Sequence, residues 1–397
     1  MASTKAPTRV GIIGLGFSDS TFGPGLWAGS AHVPYLLASP DYTITAICNS
    51  TTASAQASID HYKLDPTIKA YGSPSDLAAD PNVDLILVSV RVAAHYALTK
   101  PALLAGKEVF VEWPLAATLA QSEELTALAK EKGVRNIVGV QARASPLITK
   151  LRSLLTANSI GSILSTTVVG TFSGLPHDVF PVGAEYYMDI NSGGNPFYIF
   201  FGHFLDSFLH VLGPWSEDPH YLSAVLDTKY TTTKLVDFAT GEVKGEIPRT
   251  APDHVLVQGK LASDALASIS YRTVPTAQVQ EPGIIWTITG TEGEIVVEAR
   301  QGQWQMLGAQ ALVVKMRQGK GEVETIELSE ELEGNKAVEA MGGVYQAIDV
   351  GDGGYSGRNV ARVYEALVKG DKAKFATFEQ ALESQRLLER IRKVAGK

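Results

Sequence analysis

Gly14-Leu15-Gly16 follows directly on the apolar run Arg9–Gly14, a placement suited to binding a phosphate. Glycines there let the backbone turn tightly and approach a pyrophosphate, which then rests on the N-terminus of the next helix. Leu15 and Phe17 complete the candidate cofactor turn. The third glycine of the dinucleotide fingerprint is missing, since position 19 is Asp, and a long insert, FSDSTFGPGLWAGS, precedes the first helix. A second candidate site is Asn49-Ser50-Thr51-Thr52, at the end of the second apolar run. Dinucleotide folds usually end that strand with a carboxylate that binds the ribose hydroxyls. Neutral amide and hydroxyl groups bind a ribose, or admit a 2′-phosphate without repelling it. No Arg stands beside them, so NAD and NADP both stay open.

Other chemistries have less support. His177-Asp178 and Asp253-His254 are too short and scattered for metal-ligand spacing, and there are no cysteine pairs. The loop VGDGGYSG at 350–357, with Asp349 and Asp352, lacks the oxygen ligands of a calcium loop. Neither a GxSxG nucleophile elbow nor a complete P-loop occurs.

The elements that must position these residues are legible in the hydrophobic pattern. Arg9–Gly14, Thr43–Cys48, Val83–Val90, Lys107–Val111 and Asn136–Val140 read as short, buried strands. Helical periodicity lies between them, most clearly at Ala93–Ala105 and Leu119–Lys132. Such alternation implies right-handed crossovers and a parallel sheet covered on both faces. After about Ser145, longer alternating strands take over: Ser162–Phe172, Val255–Leu261, Ala267–Thr273, Ile284–Thr289, Glu294–Glu298 and Ala311–Met316. A hairpin turn sits at Gly290–Gly293, a helix near Phe200–Leu212, and a final helix runs from the N-cap Thr377 to about Val394. The expected class is α/β: an N-terminal Rossmann domain (1–145) and an α+β domain (146–375) with a large, mostly antiparallel open sheet. The last helix (376–397) is expected to pack back on the Rossmann half.

A chain of 397 residues with 45% hydrophobic and 19% charged residues suits two soluble globular domains. Its net charge of −8 argues against direct binding to nucleic acid or an anionic membrane. The single cysteine, Cys48, excludes an intrachain disulfide and reads as a small buried hydrophobe in a reducing compartment. The N-terminus has no apolar signal region and no stretch reaches a membrane span, so the cytoplasm is the expected location, with the nucleus open.

The most specific pattern runs from Ser89-Val90-Arg91-Val92-Ala93-Ala94-His95-Tyr96 through Ala105-Gly106-Lys107-Glu108-Val109 to Val111-Glu112-Trp113-Pro114-Leu115-Ala116. Gln141, Arg143 and Pro146 continue it, His32-Val33-Pro34 precedes it, and the GTEGE hairpin at Gly290–Glu294 follows. This resembles the glucose–fructose oxidoreductase and inositol dehydrogenase family across nearly the whole chain. VEWPLA, GVQARASP, GHFLD and Thr250–Gly259 look like its fungal Gal80 branch, named for a galactose-pathway repressor that binds a nicotinamide dinucleotide. The resemblance implies a Rossmann domain, a second domain whose open sheet often makes dimer contacts, and cofactor contacts from Ser89, Val90, Arg91, His95, Glu112, Trp113, Gln141 and Arg143.

The departures bear on catalysis. The family's Glu-Lys-Pro lysine, beside the nicotinamide, is Trp113 here, and the Asp expected four residues before His203 is Ile199. Neither replacement shuttles a proton. His203 is left as the candidate general acid or base. Tyr187 is a candidate hydroxyl in place of the lysine, Glu112 a ribose partner, and Trp113 a packing surface for the nicotinamide. Tyr186 and Tyr198 share the aromatic stretch, and Asp189 and Asp206 are candidate partners of His203, with Asp206 expected on the helix face turned from it. Two readings follow: an NAD(P)-dependent oxidoreductase moving hydride to or from a sugar, polyol or related carbonyl or imine substrate, or a Gal80-like regulator that binds an activator protein without catalysis.

Overall fold

Strand β1 (Thr8–Ile13) turns fully buried after two residues and ends at the glycine turn. It is the centre of the first of two units into which the computed structural model divides. The model describes residues 6–17, 25–172, 178–273, 283–328 and 357–397. Gly23 of the insert, His177 and residues 350–356 of the glycine-rich loop lie outside them.

β1 pairs in parallel with β2 (Tyr42–Cys48) on one side. On its other side it pairs in parallel with β4 (Leu85–Val88). β3 (Lys69–Tyr71) lies beyond β2, while β5 (Glu108–Val111) and β6 (Asn136–Val138) lie beyond β4, giving the order β3-β2-β1-β4-β5-β6. Every pairing is parallel. β4 reads Leu-Ile-Leu-Val and is buried throughout, as a strand covered on both faces must be. The crossovers carry α1 (Val33–Ala38), α2 (Thr52–His61), α3 (Pro74–Ala79), α4 (Val92–Leu104) and α5 (Leu119–Lys132). Strand order reverses between β1 and β4, and open parallel sheets bind ligands beyond the carboxyl ends of the strands at that point.

The second unit begins at Ala142. It holds α6 (Pro146–Thr156), β7 (Ile163–Thr171), β8 (Val179–Pro181) and α7 (Gly202–Leu212). β9 (Leu222–Asp227), β10 (Thr232–Asp237), β11 (Glu242–Pro248), β12 (His254–Lys260) and β13 (Leu266–Arg272) follow. β14 (Ile284–Gly290), β15 (Gly293–Ala299), β16 (Leu312–Gln318) and β17 (Glu324–Ile326) complete it. Eight strands form one mixed sheet in the order β17-β16-β15-β14-β7-β13-β12-β9. Only β7 and β13 run parallel within it. One face is sealed by aromatic packing: Phe204 of α7 lies 5.4 Å from Tyr271, and Phe208 lies 5.6 Å from Trp286. The alternate residues Thr167, Gln258 and Ser268 line a shallow groove of about 580 Å³ on the other face. β8, β10 and β11 form a separate three-stranded sheet.

The unit boundaries differ from the sequence reading, which gave 146–375 to the second domain. Helix α8 (Arg358–Lys369) belongs to the first unit, because Tyr364 packs 5.1 Å from Tyr42, 5.4 Å from Phe110 and 5.8 Å from Tyr35. Helix α9 (Phe378–Val394) starts in the first unit, and from Glu383 its residues belong to the second. Thr377 caps it reciprocally: its amide donates to Gln380 Oε1 at 3.0 Å, and the Gln380 amide donates to Thr377 Oγ1 at 3.4 Å.

Candidate functional site

Gly14 has φ +94°, and a Cβ there would lie 2.4 Å from the Ser89 carbonyl oxygen and 2.3 Å from Val90 Cγ1. Only glycine fits, because the next strand end presses against the turn. The turn is tied back on itself by the Gly16 amide donating to Gly25 O at 3.2 Å. Its carbonyls are engaged from inside the unit. Leu15 O accepts from Asn49 Nδ2 (2.9 Å) and Ser58 Oγ (2.6 Å), and Gly16 O accepts from the Tyr62 hydroxyl (2.8 Å). A pyrophosphate at this turn would meet no competing carbonyl from these two residues, so the cradle fits the group. Phe17, 43% exposed, stacks on His61 with centroids 4.2 Å apart.

Asn49 therefore differs from its sequence reading. Its amide nitrogen is held by Leu15 O, Ser54 O and Ser58 Oγ, so Asn49 braces the turn. Ser50 is exposed, while Thr51 caps α2 through the Ser54 amide at 3.0 Å. His95 likewise lies behind the surface. Its Nδ1 is 2.8 Å from Pro114 O and its Nε2 is 3.0 Å from Val90 O, clasping the two loops that follow β4 and β5. Burial depresses its pKa against the pull of those carbonyls and of Glu112. Ser89 is buried, with its amide donating to Ile13 O at 3.0 Å, and Arg91 is exposed.

Glu112 anchors a buried chain that the sequence did not reveal. Its Oε1 is 2.7 Å from His32 Nε2, and His32 Nδ1 is 2.9 Å from the Tyr364 hydroxyl. His32 is fully buried, at 0% exposure. With both ring nitrogens engaged the imidazole cannot rotate, and the carboxylate is fixed. A Cβ at Gly139 would lie 2.5 Å from Glu112 Oε2, so that glycine makes room for it. His32 ends a π-helical turn, Ala28–His32. Such insertions re-aim a side chain at a cost in helix regularity, and they recur at functional sites. Trp113, 5% exposed, follows Glu112 through a segment whose Trp113-Pro114 bond is cis. Gln141 keeps a buried Oε1 that finds no partner among the described residues, as a group awaiting a ligand would.

In the second unit a second π-helical turn, Phe197–Phe201, leads into α7 and places the buried His203 in that helix's first turn. Tyr187 sits in a short 3₁₀ turn among Phe180 (5.2 Å), Tyr186 (4.7 Å) and Phe200 (6.2 Å). Burial raises its pKa well above the ordinary phenol range, so it remains a neutral hydroxyl. Tyr198 instead bonds Glu389 Oε1 at 2.7 Å. Arg143, expected at the cofactor, has another partner. Its Nε and Nη2 donate to Asp206 at 2.8 and 2.7 Å, and Ser384 Oγ donates to the same carboxylate at 3.0 Å. Asp206 is thus engaged by Arg143 and Ser384.

Comparison with known proteins follows the same division. Residues 8–140 match the oxidoreductase family with an NAD-binding Rossmann fold, and residues 146–299 match the Gal80p C-terminal domain. A dehydrogenase of Aspergillus oryzae, aclE, is 32% identical over 299 residues, spanning 73% of this chain and 76% of its own. The galactose/lactose metabolism regulatory protein GAL80 of Saccharomyces cerevisiae is 27% identical over 310 residues, spanning 75% of this chain and 68% of its own. The crystal structure of a super-repressor mutant of that yeast's Gal80p shares the fold, with a TM-score of 0.80 at 24% identity over 98% of this chain and 96% of that one. No helix among the described residues is long and apolar enough to cross a membrane.

Proposed function

The chain belongs to the oxidoreductase family with an NAD-binding Rossmann fold and has a Gal80p-type C-terminal domain, and on that premise we propose that it is an NAD- or NADP-dependent oxidoreductase of sugars, polyols or related carbonyl or imine compounds. The observation that supports it most is the glycine cradle, whose inward-turned carbonyls and Cβ-excluding Gly14 suit a pyrophosphate. In this reading Gly14, Leu15, Gly16 and Phe17, with Ser89, Val90 and Arg91, hold the dinucleotide, and Ser50 meets the adenosine ribose. Glu112, Trp113 and Gln141 take its nicotinamide half. Asn49, His95 and Arg143 act from behind, holding the turn, the loops and α7.

When bound, the nicotinamide supplies a hydride acceptor or donor. His203 takes or returns the proton of the reacting hydroxyl, and Tyr187, held neutral, orients that oxygen by donating a hydrogen bond. Trp113 excludes water and offers a ring face. A fluorescence titration with NADH and NADPH tests binding and preference together. Turnover across a panel of sugars, polyols and imines tests catalysis, and tight binding without any turnover would refute it. An unchanged kcat in His203→Ala would remove His203 from proton transfer.

The replacements Trp113 and Ile199, with the match to the regulatory protein, support a second reading: a dinucleotide-sensing regulator, cytoplasmic or nuclear, that binds a transcription activator and does no chemistry. A pull-down with an acidic, hydrophobic activation segment, with and without NAD, tests it. No retention in either condition would argue against it. Under both readings the open sheet face is proposed to pair two copies, which light scattering of the purified chain tests.

A further inference from the structure

Among the described residues, Arg249 is a buried cation with no ion-pair partner within salt-bridge distance. It is 6% exposed, directly after the three-stranded sheet's β11. Its backbone amide donates to Thr231 O at 2.8 Å, and its Nε donates to Ala251 O at 3.3 Å. Nη1 and Nη2 meet no acceptor among the described residues. Asp253, the carboxylate that acts on it through space, is already committed. It accepts from the Lys229 amide (2.9 Å), the Tyr230 amide (2.8 Å) and His254 Nδ1 (2.6 Å). Burial pulls the Arg249 pKa down, but a guanidinium stays protonated.

An unpaired charge at this depth is among the most destabilising features a fold retains, and it persists where something else balances it. We propose that Arg249 is the anchor of an anion site in the second unit, and that its ligand is a carboxylate. The free edge of the guanidinium offers two parallel donors, a geometry that carboxylates and phosphates both match. Charge decides between them. The site supplies one positive charge, since Lys229 is held in an ion pair by Asp227, and Asp253 adds negative potential nearby. A monoanionic carboxylate is neutralised there, whereas a phosphate dianion is left with excess charge. The Thr250 and Ala251 amides both donate to Met188 O, at 2.8 and 2.9 Å, so Arg249's segment is bonded to the turn that carries Tyr187. The anion site stands whether or not the chain is an enzyme.

The test is the thermal stability of the intact chain in sodium pyruvate, sodium lactate, inorganic phosphate and sodium chloride at matched ionic strength. Pyruvate and lactate are expected to raise Tm above the chloride reference, and phosphate less so. Arg249→Met is expected to remove that rise, weakening carboxylate binding by about 10- to 100-fold, while its anion-free Tm equals or exceeds that of the parent. Arg249→Lys, which keeps the charge and loses the fork, retains part of the response. An equal response in parent and Arg249→Met overturns the proposal. So does a parent that responds to carboxylates no more than to chloride, and so does a stronger response to phosphate than to carboxylate.

Discussion

Replacing Tyr364 by Phe separates the buried relay from ordinary core packing. The substitution deletes one oxygen and leaves the ring, so the contacts with Tyr35, Tyr42 and Phe110 survive. What it removes is the 2.9 Å partner of His32 Nδ1, a nitrogen on a fully buried ring that water does not reach. Stranding a buried polar atom costs about 1–3 kcal/mol. Tyr42→Phe is the matched control. Its hydroxyl donates at 2.9 Å to the backbone carbonyl of Tyr364, outside the relay, so its loss is an ordinary hydrogen-bond deletion of about 0.5–1.5 kcal/mol. Both are read by urea denaturation, comparing midpoints at constant m. The second readout is NADH affinity by fluorescence. Without Tyr364 the imidazole is tethered only at Glu112, and the carboxylate loses its fixed orientation. Affinity is expected to fall about 3- to 10-fold in Tyr364→Phe, less than deleting a charged hydrogen bond outright, and to stay level in Tyr42→Phe. Equal affinities in the two variants would show that Tyr364 only packs.

Gly14→Ala forces φ +94° on a Cβ 2.4 Å from the Ser89 carbonyl, costing about 1–3 kcal/mol or more and abolishing NADH binding in the same titration. Asp206→Asn breaks the buried pair with Arg143 and should cost about 3–5 kcal/mol by urea denaturation, with most of it recovered when Arg143 is replaced by Met as well. Asp80 gives a pH signature: burial pushes its pKa up, but hydrogen bonds from the Asn82 amide, Tyr71 and Lys69 prevail and lower it from 3.8 to about 2. A depressed carboxylate stabilises the fold above its unfolded pKa, so the advantage over Asp80→Asn, at most about 2 kcal/mol, is full near neutral pH and fades as pH falls from 4 towards 2.

The buried strands were legible because a parallel sheet covered on both faces leaves uninterrupted apolar runs, and β1, β2, β4 and β5 carry them. β3 and β11 left no such trace: β3 is three residues long, and β11 is exposed at six of its seven positions, so neither alternates. The glycine turn was legible as a motif, but not the direction of Asn49, whose type fits a ribose contact and a brace equally well. The relay could not be read at all. His32 and Tyr364 are 332 residues apart, and no periodicity links a histidine at a π-helical turn with a tyrosine in α8. The resemblance puts Arg143 at the cofactor, and no local pattern points to the carboxylate that pairs with it 63 residues on.

The two halves of the proposed activity rest on different kinds of structure. In the first unit the turn carbonyls, His95 and Glu112 all have partners that fix them before any ligand arrives, and the Gln141 Oε1 is the group left over. Preorganisation of that kind lowers the entropy lost on binding, whatever the bound dinucleotide then does. The proton side is arranged differently. With Trp113 and Ile199 at positions where the family resemblance implies Lys and Asp, the proposed activity leaves the proton to His203, and burial keeps the Tyr187 phenol from ionising. A site with one exchanging group suits a substrate whose oxygen or nitrogen needs one proton moved. A neutral phenol and a buried guanidinium favour a reacting group held by donors, one that carries negative charge nearby. Those demands fall on the substrate and not on the nucleotide, so the same cradle can serve a catalyst or a sensor, and the chemistry is decided in the second unit.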